Sequence, residues 1–71
     1  MTLLEMSVQY AEHAAALRAR IVELRGLERQ ETDREAARVL HCRVSALLPL
    51  WQEARELARL TAHYYDREGL R

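Results

Sequence analysis

The sequence predicts an all-α fold, an antiparallel two-helix hairpin with helices over about 3–30 and 33–67, which pairs with a second copy as a four-helix bundle. Three observations predict it. Only two glycines and one proline punctuate 71 residues, and Ala, Leu, Arg and Glu, all strong helix formers, dominate the rest. Two helix-start signals stand thirty residues apart, at Thr2 and Thr32. Apolar residues recur at three- and four-residue spacing through both segments. Residues 1–71 read as one domain, and strand signals are absent.

The first helix begins at Thr2-Leu-Leu-Glu5, a capping box in which a hydroxyl and a carboxylate satisfy amides that a helix start leaves unpaired. Leu3, Tyr10, Leu17 and Leu24 then recur every seven residues, with Ser7, Ala14 and Ile21 between them, which makes one core stripe. A second stripe lies beside it: Leu4, Val8, Ala11, Ala15 and Val22. Gly26 falls inside the pattern, and an early end to the helix there is the alternative.

The second helix opens on Thr32-Asp-Arg-Glu35, the same box, and a short connection before it forces the helices antiparallel. Its core stripe is Ala37, Leu40, Val44, Leu47, Trp51, Ala54, Ala58, Thr61 and Tyr65, flanked by Leu50, Leu57, Leu60 and Tyr64. Pro49 removes one helical hydrogen bond and crowds the carbonyl of Ser45, but the stripe passes through it in phase. A kinked continuous helix is expected, with a break after Leu48 as the alternative.

Folding about residues 31 and 32 makes facing residue numbers sum to about 64. Leu24 then faces Leu40, Leu17 faces Leu47, Trp51 falls opposite Ala14, and Tyr10 falls opposite Ala54. Large meets small in neighbouring layers, as close packing demands. One stripe against one stripe leaves a chain of this length with a thin core, and oligomerisation is a usual remedy. The expected self-association interface is Leu4, Val8, Ala11, Ala15 and Val22 with Leu50, Leu57 and Leu60, and a homodimer is the expected assembly.

The same residues argue against most other functions. Cys42 is the sole cysteine, so an intramolecular disulfide is impossible. A structural zinc site needs four ligands, and His13, His41 and His63 are scattered along the chain. No Gly-rich phosphate loop is present, and no catalytic residue, metal, cofactor or small-molecule substrate is expected. The start MTLLEMSVQY lacks a basic region and carries Glu5 within its apolar stretch, unlike a signal peptide. No run approaches the length of a membrane helix, and a cytoplasmic setting is expected.

All eleven cations are arginine, balanced by eleven acids. Residues 18–43 hold seven arginines against five acids, a net of +2, which is weak beside the footprint of a nucleic-acid binder. The runner-up function nonetheless rests there: a ROP-type RNA- or DNA-binding regulator that uses Arg18, Arg25, Arg29, Arg34, Arg38 and Arg43 near the bend. Glu23, Glu28, Glu31, Asp33 and Glu35 interleave with them and repel phosphate.

The stretch AHYYDR at 62–67 concentrates polar and aromatic groups. Helical phase splits it, because Tyr65 continues the core stripe, Tyr64 joins the flank and His63 points outward. Tyr64 and Tyr65 are expected to pack at the end of the bundle. The functional alternative is a docking patch for another protein, made by His63, Tyr64 and Tyr65.

The run Glu53-Ala-Arg-Glu-Leu-Ala-Arg-Leu-Thr-Ala-His-Tyr-Tyr-Asp-Arg, after a Glu-Thr-Asp turn, resembles the C-terminal half of small uncharacterised two-helix proteins of bacterial conjugative or phage-like mobile elements. The resemblance covers about a third of the chain. It implies a bacterial, cytoplasmic, mobile-element setting and carries no activity. The expected function is therefore a non-enzymatic protein–protein interaction module, accessory or regulatory, whose partner is itself or another protein.

Overall fold

A computed structural model describes the backbone of residues 2–69 and the side chains of residues 2–64. It is a helical hairpin. Helix α1 spans Leu3–Gln30 and helix α2 spans Arg34–Gly69, packed along each other and joined by residues 31–33. Both expected helices are present, α2 starting one residue later and running two further. Gly26 lies within α1, which continues past it for another turn.

The start of α1 shows the hydroxyl half of its expected capping box, and the bond from the Thr2 amide to the Glu5 carboxylate is not formed. The Thr2 hydroxyl accepts the Glu5 amide at 3.1 Å, and Thr2 itself is extended, as a cap residue must be. The start of α2 differs from the expectation. Asp33, not Thr32, is the cap: its carboxylate accepts the Ala36 amide at 3.1 Å, and its carbonyl accepts the Ala37 amide at 3.0 Å. Glu31 accepts the Asp33 amide at 3.1 Å, so a carboxylate two residues upstream fills the place that the expected box assigned to Glu35. The aspartate outcompetes the threonine because an ionised carboxylate is the stronger acceptor at the positive end of a helix.

Pro49 lies inside an unbroken α2, so the break after Leu48 does not occur. The hairpin measures 57 × 17 × 14 Å. A 36-residue helix at about 1.5 Å per residue is about 54 Å long, which accounts for nearly all of the long axis. The two short axes admit two helices side by side and nothing more.

Several of the residues expected to face each other pack together, Leu24 with Leu40 in one cluster and Ala14 with Trp51 along one groove. Ile21, Leu24 and Val44 form the buried cluster, with Leu40, Leu47, Leu48 and Trp51 packed against it. Leu24 is the most enclosed, at 2% exposure. Ala14 and Ala54, the small members of the Trp51 and Tyr10 layers, are also buried. Towards the open end the Ser7 hydroxyl donates to the Ala58 carbonyl at 3.3 Å, a pair whose numbers sum to one more than expected. Thr61, polar on a core stripe, donates its hydroxyl to the carbonyls of Leu57 and Ala58 at 2.8 and 3.1 Å and so needs no partner from α1.

Candidate interaction surfaces

A single layer of two helices has two broad faces, and the phase of each stripe decides which face it occupies. On α1 the second stripe follows the core stripe by one residue: Leu4 after Leu3, Val8 after Ser7, Ala15 after Ala14, Val22 after Ile21. On α2 the flanking residues precede it by one: Val39 before Leu40, Leu50 before Trp51, Leu57 before Ala58, Leu60 before Thr61. One residue turns a helix by about 100°, and in an antiparallel pair turns of opposite sense lead to opposite faces.

The surroundings of these residues agree. Ala15 and Val22 line a groove with Leu48, Trp51 and Arg55, whereas Leu27 lines a different one with Val39 and Arg43. The eight residues expected to form one self-association interface therefore divide. Leu4, Val8, Ala11, Ala15 and Val22 make a ridge along α1 on one face, and Leu50, Leu57 and Leu60 continue a ridge along α2 on the other. Each is exposed except Leu57, which is half-buried. No single flat contact covers both ridges. The spacing of the stripes was legible in the sequence, and their sense of rotation was the signal that shows the division.

The two faces differ in character. The α2 face carries the larger apolar groups, Leu27, Val39, Leu50, Leu60 and Tyr64, with Leu50 50% and Tyr64 54% exposed. Its polar edge on α1 is internally neutralised: Arg20, seven residues before Leu27, pairs with Glu23 at 3.0 Å. The α1 face has smaller apolar groups, of which Val22 is the most open at 59%. Beside them runs a groove of about 640 Å³ lined by Arg18, Arg25 and Arg55 with the Trp51 ring. The Arg55 guanidinium sits 5.4 Å from the centre of that ring.

The six arginines of the nucleic-acid reading are all exposed but do not share a face. Arg18, Arg25 and Arg29 belong to the α1 side, Arg34 and Arg38 border Glu28, Glu35 and His41 near the bend, and Arg43 lies on the α2 side. At the open end the rings of His63 and Tyr64 meet edge to face, with centroids 6.2 Å apart. The Tyr65 side chain lies outside the described residues.

Among the described residues no group of three His, Cys, Asp or Glu side chains is arranged to hold a metal ion. Cys42 is a free, exposed thiol. No described helix is long and apolar enough to cross a membrane. The chain matches no family model, no curated protein and no solved structure.

Proposed function

We propose that the chain is a non-enzymatic helical hairpin that works by protein contact, and that it self-associates through the α2 face. One observation carries this. Five described side chains are buried as hydrophobic core, two of them alanine, while eight large hydrophobic residues stay exposed on the same hairpin. A chain that leaves more bulky apolar groups in water than it buries is suited to having them covered. The α2 face is the better self-interface, because it holds five of those eight residues and its neighbouring charges are of mixed sign. In a two-fold pairing each patch meets its own copy, so mixed charge is tolerated where like charge is not.

Molar mass from light scattering after size exclusion tests this reading. A mass near twice the 8.3 kDa chain is expected, falling to the monomer when Leu50→Glu and Leu60→Glu are combined. A wild-type protein that stays monomeric at high concentration overturns it. Retention on heparin that fades steeply with salt would instead support the arginine-based nucleic-acid alternative. A cytoplasmic, mobile-element setting, implied by the resemblance at 53–67, belongs to the same proposal.

A further inference from the structure

The α1 face has the opposite design from a self-interface. Its groove is lined by Arg18, Arg25 and Arg55 with Ala15, Val22 and Trp51, and no carboxylate is in that lining. The groove continues towards the bend, where Val22, Arg25 and Leu48 also line the next stretch with Arg29. A carboxylate appears only there, and it is engaged: Glu28 lies 2.9 Å from His41 Nδ1. Among the described residues none of the four groove arginines has an acidic partner within salt-bridge distance.

We infer that this groove docks an acidic amphipathic helix of another protein. The apolar floor asks for an apolar stripe, and the arginine rim asks for Glu or Asp on either side of it. From Ala14 to Glu28 the groove follows about four helical turns, roughly 21 Å, so an occupant of about fourteen residues fills it. A second copy of this chain is the poorer occupant. Face-to-face pairing there sets one arginine rim against another with no acid in the lining to offset it. A nucleic-acid backbone would use the arginines but leave Val22, Leu48 and the alanines uncovered. The inference stands whether or not the α2 face self-associates, since the two surfaces lie on opposite sides of the hairpin.

Trp51 is the chain's only tryptophan and lines the groove, so its fluorescence reports occupancy directly. The experiment titrates the full chain with two synthetic fourteen-residue helical peptides that share one Leu/Ala stripe, flanked by Glu in one and by Lys in the other. A duplex RNA is titrated in parallel. The Glu peptide is expected to shift Trp51 emission saturably, with affinity falling as salt rises, and the Lys peptide to leave it unchanged. Arg18→Glu and Arg55→Glu are each expected to weaken the Glu peptide about fivefold, and together to transfer the preference to the Lys peptide. Helicity by circular dichroism checks that these exposed positions leave the fold intact, and Val22→Ser, which adds no charge beside Arg18 and Arg25, weakens Glu-peptide binding by spoiling the apolar floor. Equal response to both peptides, response to RNA alone, or no response to the Glu peptide overturns the proposal. So does emission that changes with protein concentration alone, because a second copy would then be covering Trp51. Molar mass is read separately, so failure of the self-association reading is not confused with failure here.

Discussion

The Glu28 carboxylate stands 2.9 Å from Nδ1 of His41, linking the last full turn of α1 to the second turn of α2 beside the bend of the hairpin. It is the described side-chain to side-chain hydrogen bond that joins the two helices, the others being local pairs within one helix. Its position suggests a latch, but its exposure argues otherwise. His41 keeps 69% of its side chain in solvent, where ion pairing is offset by the cost of fixing the side chains and is screened by salt.

Glu28→Gln is accordingly expected to lower stability by less than about 1 kcal/mol. In a domain of this size that moves the thermal midpoint by no more than roughly 4–8 °C. A larger loss in a melting curve followed by circular dichroism would show the pair to be structural after all.

The cap of α2 separates two neighbouring residues that look interchangeable in sequence. Asp33→Ala removes the acceptor of the Ala36 amide and is expected to cost about 1 kcal/mol, while Thr32→Ala costs a few tenths at most. Chemical denaturation of the two variants side by side decides it, and equal losses would restore Thr32 as a partner in the cap.

Two substitutions should stabilise the hairpin. A methyl group added at Gly26 meets nothing within 4 Å, and no described glycine has a positive φ, so Gly26→Ala is expected to gain about 0.5–1 kcal/mol. Pro49 is exposed and interrupts the hydrogen bonding of an otherwise continuous helix, so Pro49→Ala is expected to gain about 1–3 kcal/mol. A drop in midpoint for the second variant would mean that the proline itself helps to fit α2 to α1.

Leu24→Ala is the damaging counterpart. Leu24 is the most deeply buried side chain, and truncating such a leucine costs about 2–5 kcal/mol, comparable to the whole stability a core of this size supplies. The variant is expected to lose most of its helical circular dichroism at 37 °C, whereas Leu4→Ala, on the exposed ridge, keeps it. Similar behaviour of the two would place the core elsewhere.

Most of this architecture was legible in the sequence because it follows from local rules. The Thr2 cap, the four-three stripe from Leu3 to Leu24 and the facing of Leu24 by Leu40 each depend on residues close along one helix, or on a fold-back with a single short connection. Two features were harder to read, for different reasons. At the bend Thr32 and Asp33 both present a capping side chain, and the match of Thr32 and Glu35 to the box drew attention away from the stronger carboxylate acceptor one residue on. The division of Leu4, Val8 and Val22 from Leu50, Leu57 and Leu60 was encoded, in the order of core and flank residues along each helix. It is invisible when stripes are compared by composition alone.

The buried cluster of Ile21, Leu24 and Val44 lies in the half of the hairpin nearer the bend, while towards the open end the buried side chains among the described residues are Ala14 and Ala54, and Leu3, Met6, Tyr10 and Leu57 are only half-buried. Cohesion is therefore graded along the 57 Å axis, and the molecule behaves as a zipper whose slider rests at residues 31–33. Assembly starts where the connecting loop is shortest and the entropy of closing it least, and each later turn is added next to one already in place. Dissociation runs the other way. Amide protons near Ala58 should exchange with solvent through frequent partial opening, and those near Val44 only when the whole chain comes apart.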